Sequence, residues 1–166
     1  MTALTCPEIL HSGNSVVIRE MTVANPDIEI RDRLAIADLL TEFGWRVDHG
    51  KADTVADLFV EDGSVSTPKF ELQGRDAIDK HFSARARDDD RVTRHVWTNL
   101  KLTALDGHRI KAETAMQTYV CHGNTPDAAR ELVVGDSIDI VEKDADGRWR
   151  FVERRLVVAL HNQGTG

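Results

Sequence analysis

The chain of 166 residues has two cysteines, four prolines and a single tyrosine, and aromatic side chains make up 5% of it. Cys6 and Cys121 lie far apart, without the close spacing of metal ligands, and Cys6 falls in a segment that reads as a tail. Neither a stabilising disulfide nor a cysteine-built metal site is expected. No apolar run approaches the roughly 20 residues needed to span a bilayer, and Met1 to Cys6 lack the basic start of a secretory signal. Neither membrane insertion nor secretion is expected, and a reducing, cytoplasmic setting fits. Basic charge is also scarce, since the formal net charge is -7 and is spread along the chain. The one basic cluster, Arg148 to Arg155, alternates with Trp149, Phe151 and Val152 as a strand does, which argues against a nucleic-acid surface.

What is present suffices for one domain with its own core. Residues 1–26 show no sustained periodicity and carry Pro7, Gly13, Asn14 and Pro26, so they read as an arm whose Ser15 to Ile18 patch packs on a neighbour. The domain proper is expected over 27–162. From Asp27, a suitable N-cap, apolar residues Ile30, Leu34, Ile36, Leu39, Leu40, Phe43 and Val47 recur at helical spacing. Gly50 closes this first helix. Asp53 is placed to cap a second helix with Val55, Leu58 and Phe59 inward, ended by a turn at Glu61-Asp62-Gly63. Short extended pieces at Ser64 to Thr67 and Phe70 to Leu72 precede a third helix, Arg75 to about Arg87, with Ala77, Ile78 and Phe82 inward. The run Arg87 to Arg91 reads as an exposed loop.

From Val92 the hydrophobic period changes from 3.6 to 2. Four strands are expected at Val92 to Leu105, Arg109 to His122, Glu131 to Lys143 and Arg148 to Leu160. Asp106-Gly107 and Asp144 to Gly147 are hairpin signals, so neighbouring strands pair antiparallel. Helices first and strands second give an α+β fold, with helices against one face of a long, bent antiparallel sheet.

Strand alternation puts His95, Trp97 and Asn99 on one face of the first long strand and Val96, Leu100 and Leu102 on the other. His with Trp and Asn is richer in aromatic and hydrogen-bonding character than a wet face requires. An alternative remains in which Trp97 covers a sheet edge and His95 is a surface histidine. On the second strand Ala112, Thr114, Met116, Thr118 and Val120 share one face and Glu113, Gln117 and Tyr119 the other, with Met116 read as core. His49 reads as solvent-facing, Asp53 and Asp62 as cap and turn residues. His81, His108, His122 and His161 are scattered without the spacing of a metal site.

The stretch Leu34 to Phe82, with Asp48, Asp53, Leu58-Phe59, Glu61-Asp62-Gly63 and Gly74-Arg75-Asp76-Ala77-Ile78, resembles the SnoaL-like branch of the nuclear transport factor two-like superfamily. Thr93-Arg94-His95 with Asn99, and Asp146 to Phe151, are similar to the scytalone dehydratases and hexachlorocyclohexane dehydrochlorinases of that superfamily. The resemblance covers about residues 28–160. It implies a cone-like fold enclosing an apolar pocket and assembly as dimers or trimers.

For chemistry the resemblance implies a His-Asp dyad, with Asp48 at a helix end orienting His95, and His95 taking the proton that starts an elimination. Histidine's unperturbed pKa of about 6.5 suits a general base near neutrality. No cofactor and no metal is implied. The implied partner is a small hydrophobic, cyclic or aromatic substrate, with Trp97, Asn99, Tyr119 and Arg154 as its binding residues. For Arg154 the competing reading is an ion pair with Glu131 or Asp139. Val47 stands where the dehydratase pattern has a tyrosine, so the carbonyl-activating group is open. A dehydratase-type lyase is the preferred reading. An isomerase or polyketide cyclase would use the same dyad, and a non-catalytic binding or scaffold subunit would need neither residue.

Overall fold

A computed structural model describes residues 5–12, 15–22, 28–123 and 129–163. Within the expected arm the backbone forms two antiparallel strands, β1 (Thr5–Ser12) and β2 (Ser15–Thr22), in a sheet of their own. The sequence there shows no sustained strand periodicity, yet the backbone pairs as a hairpin. Pro7 breaks the local pattern that would have announced the first strand, and the Val16-Val17-Ile18 run is β-branched as strands favour. The Asp27 cap lies outside the described residues.

Helix α1 spans Ile30–Asp48, starting from Glu29 without a side-chain cap. Its buried face is Ile36, Leu39, Leu40, Phe43, Gly44 and Val47, at the three- and four-residue steps that keep one stripe inward. Ile30 and Leu34, expected on that stripe, are instead 68% and 59% exposed. The helix ends where Gly50 takes φ 72°, and Lys51 N–H closes on the Arg46 carbonyl at 2.9 Å. The next helix is a 3-10 segment, Ala52–Leu58, that begins after Lys51, so Asp53 is an exposed first-turn residue and not the cap. Phe59 already belongs to β3 (Phe59–Thr67), which runs through the sequence expected as a turn. Strand β4 (Phe70–Gln73) pairs back on β3, and α2 (Arg75–Ala86) buries Ile78 and Phe82.

Four long strands follow: β5 (Arg91–Ala104), β6 (Arg109–His122), β7 (Ala129–Lys143) and β8 (Trp149–Gln163). The six-stranded sheet has the order β4-β3-β8-β7-β6-β5, and all neighbours are antiparallel except β3 and β8. That parallel pair makes the sheet mixed. The Asp106 turn is held by Asp106 Oδ1, which accepts the N–H groups of His108 and Arg109, both at 2.8 Å. The sheet bends at bulges, one between Val134 and Gly135. A Cβ at Gly135 would lie 2.0 Å from the Val157 carbonyl oxygen, so only glycine permits that approach. The fold is α+β, with helices against one face of a curved open sheet. Its core is centred on Phe43, Phe59, Phe82 and Phe151, whose rings meet edge-on or tilted at centroid distances from 5.0 to 6.3 Å.

Candidate active site

Asp48 is the last residue of α1, a place where the helix dipole disfavours a negative charge. Three donors offset that cost. Thr93 Oγ1–H donates to Asp48 Oδ1 at 2.7 Å, the His95 backbone N–H donates to Oδ2 at 2.6 Å, and His95 Nδ1 lies 2.7 Å from Oδ1. Burial raises the Asp48 carboxyl, but the hydrogen bonds and charge of His95, with the Thr93 hydroxyl, outweigh it and hold the carboxyl below its ordinary value. An ionised carboxylate only accepts, so Nδ1 carries the hydrogen of this contact and Nε2 is the ring nitrogen left for other partners. The Asp48 side chain is 5% exposed and that of His95 18%. Packing is close behind the ring: a Cβ at Gly44 would stand 3.2 Å from His95 Cβ.

His95 borders a cavity of about 250 Å³ between the helices and the concave face of the sheet. Apolar walls come from Phe43, Val47, Phe82, Met116, Val120 and Leu156. Met116, expected as core alone, is therefore also a wall residue. Arg154 lines the cavity as well and sits over the rings of Phe43 and Phe151 at 4.2 and 4.9 Å. Its Nη1 donates to Asp139 Oδ2 at 3.2 Å, and Ser137 Oγ donates to the same carboxylate. Arg154 is therefore paired with Asp139, as the competing reading expected, and also borders the cavity. Burial pushes the Asp139 carboxyl up to about 6, against the pull of Arg154 and Ser137.

Trp97, Asn99 and Tyr119, the other expected binding residues, are not among the residues lining the cavity. Trp97 shares the inward face with His95 and packs against the core. At Asn99 the backbone turns to φ 58° and the β5–β6 register shifts between Thr98 and Lys101. This bulge breaks the alternation, so Asn99 is exposed while Leu100 and Leu102 come round to the inward side, opposite to expectation. Tyr119 is 48% exposed on the outer face, where its hydroxyl donates to Gln117. His49 is exposed and stacks on Trp45 at 3.9 Å.

Sequence reasoning missed one wall altogether. Arg91, expected in an exposed loop, opens β5 and lines the cavity, as do Arg85 and His81 of α2. Arg85 Nη2 donates to the Arg91 carbonyl at 2.7 Å and, at 3.4 Å, to Thr93 Oγ1. The i, i+4 placement of His81 and Arg85 on one helix face was the available signal. Among the described residues no group of three or more His, Cys, Asp or Glu is gathered as metal ligands would be, and no helix is long and apolar enough to cross a membrane.

Solved structures share this architecture. A proposed scytalone dehydratase from Novosphingobium aromaticivorans superposes with a TM-score of 0.71 at 22% identity, over 82% of this chain and 90% of its own. The hexachlorocyclohexane dehydrochlorinase LinA-type3 from Novosphingobium barchaimii gives 0.67 at 18% identity, over 82% and 92%. ActVI-ORFA from Streptomyces coelicolor gives 0.61 at 19%, over 76% and 96%. At these identities the likeness establishes the fold. No curated protein matches the sequence. The SnoaL-like domain profile matches residues 29–155, most of the chain, so this protein belongs to the SnoaL-like domain family of the nuclear transport factor two-like superfamily.

Proposed function

We propose that this protein is a lyase in which His95 is the general base and Asp48 its positioning partner. The observation that carries the reading is the 2.7 Å contact between Asp48 Oδ1 and His95 Nδ1, with His95 bordering a largely apolar cavity. With Nδ1–H held by Asp48, the Nε2 lone pair takes a proton from a carbon next to an activating group. The electron pair of that C–H bond becomes the new double bond, and the leaving group departs with the electrons of its own bond. Asp48 stays ionised and stabilises the imidazolium that forms. His95 itself supplies the base, so the step asks for no cofactor. The substrate is small, cyclic or aromatic, with its apolar body against Phe43, Phe82 and Met116 and with Arg154 as a binding residue. Homo-oligomerisation through the outer sheet face is part of the same proposal, supported by the exposure there of Val96, Tyr119 and Val157.

The test is carbon–hydrogen exchange in deuterated water, followed by NMR over a panel of small cyclic ketones and acids carrying hydroxyl or halide leaving groups. Exchange or elimination is expected with the native protein, and His95→Gln should lower it by about 10²–10⁴-fold. Exchange without loss of the leaving group moves the assignment to an isomerase or cyclase using the same base. Exchange unaffected by His95→Gln overturns the base assignment.

A further inference from the structure

One part of the cavity lining brings cations together without anions to match. Arg85 stands in the last turn of α2 and Arg91 is the first residue of β5, and both line the cavity with His81. The Nε of each arginine is buried and has no hydrogen-bond partner. Among the described residues no carboxylate lies within 4.0 Å of either guanidinium. Glu131, the acid in the described lining, is already engaged by Lys69, His122 and His161. The Arg91 charge acts unfavourably on both Arg85 and His81, while Asp88 and Asp48 pull on Arg85 only at longer range. A guanidinium held beside a largely apolar cavity without a carboxylate partner carries a desolvation cost that an oxyanion in the cavity offsets.

We propose that Arg85 and Arg91 form a seat for a carboxylate on the substrate, so that the molecules this site takes are small cyclic or aromatic acids. A carboxylate has two coplanar oxygens that match the fork of a guanidinium, and the Arg91 guanidinium, which makes no hydrogen bond or ion pair among the described residues, gives it donors that no described group uses. Arg85 is the fixed member, because its Nη1 and Nη2 donate to the carbonyls of Asp88 and Arg91. Arg91 is the member free to adjust. The same Arg85 reaches Thr93, which donates to Asp48, so an anion in the seat lies one hydrogen-bond chain away from the base. This deepens the lyase reading: the carboxylate end is anchored by the arginines and the reacting carbon is presented to His95.

Binding separates the two ideas. Isothermal titration with benzoate and with benzamide, its neutral isostere, should show benzoate binding tighter by about tenfold or more. Arg91→Gln should reduce that preference to about threefold or less, whereas His95→Gln should leave it intact even where turnover is gone. Equal binding of the two probes by the native protein overturns the seat. So does a benzoate preference that survives Arg91→Gln. Because the probe comparison needs only the native protein, a variant that failed to fold would not remove the test.

Discussion

Asp48 grips His95 at two points: Oδ2 accepts the histidine's backbone N–H at 2.6 Å and Oδ1 accepts its ring Nδ1–H at 2.7 Å. The first bond fixes β5 against the end of α1, and the second fixes the rotation of the imidazole. Asp48→Asn turns one of these acceptors into a donor that faces a donor, leaving a buried polar group unpaired. It should cost about 1–3 kcal/mol in urea denaturation. His95→Gln keeps the backbone bond and should cost less. Equal losses would mean that the ring bond alone carries the stability.

Thr93 provides a finer cut through the same cluster. Its hydroxyl donates to Asp48 and accepts from Arg85, so it acts on the base through Asp48. Thr93→Val should therefore lower turnover by about tenfold through loss of positioning, with a shift in the pH–rate profile that a merely structural residue would not give. Thr93→Ser, which keeps the hydroxyl, should restore the profile.

Stability against pH should show two opposed contributions. The Asp48 carboxyl is held below its ordinary value, so its contribution is complete above the unfolded value of 3.8 and is lost as pH falls through the folded value. Asp139 is raised to about 6, so between about 6 and 3.8 the native state binds more protons than the unfolded chain and stability rises as pH falls. Urea titrations from neutral to acid pH should show a rise before the acid loss. Asp48→Asn should weaken the acid loss and leave the rise in place.

The buried pair Arg154 and Asp139 offers a third kind of test. Arg154→Met strands a buried carboxylate and should cost about 3–5 kcal/mol near neutrality. Arg154→Met combined with Asp139→Leu removes both charges and should recover most of that loss, while substrate binding stays impaired. Chemical denaturation of the single and double variants checks the first statement, and titration with an identified substrate checks the second.

Gly44 lies under the imidazole, where an added Cβ would come within 3.2 Å of His95 Cβ. Gly44→Ala gains helix propensity of about 1 kcal/mol, which offsets the crowding, so the melting temperature should change little. Turnover should fall by about tenfold or more, because the ring has to move by a fraction of an ångström. A variant that melts lower and keeps full turnover would show that the crowding is relieved elsewhere.

The parts of this fold legible in the sequence were those set by local chemistry. The stripe from Ile36 to Val47, Gly50 behind α1 and the Asp106 turn each follow from neighbours in the chain. Ile30 and Leu34 misled because helical spacing says nothing of where the sheet stops covering the helix. The parallel β3–β8 pair has no local signal, since it joins Phe59 to Phe151. Within the site, Asp48 and His95 are 47 residues apart, and only the family resemblance suggested that they meet. Strand parity served as far as Trp97 and then failed at Asn99, where a backbone rotation reversed it. Arg91 was hidden by the charged run Arg87 to Arg91, which looks solvated until β5 turns its first residue inward.

The turn of the backbone at Asn99 divides one strand into two territories. Before it, Thr93 and His95 face the cavity; after it, Leu102 faces the hydrophobic interior under the helices. Substitutions in the front half of β5 therefore reshape the cavity while the rear half keeps its packing. Flattening the turn at unchanged length would restore strict alternation, sending Leu102 to water and Lys101 to the interior, whereas deleting Asn99 would remove the extra residue and leave Leu100 and Leu102 inward.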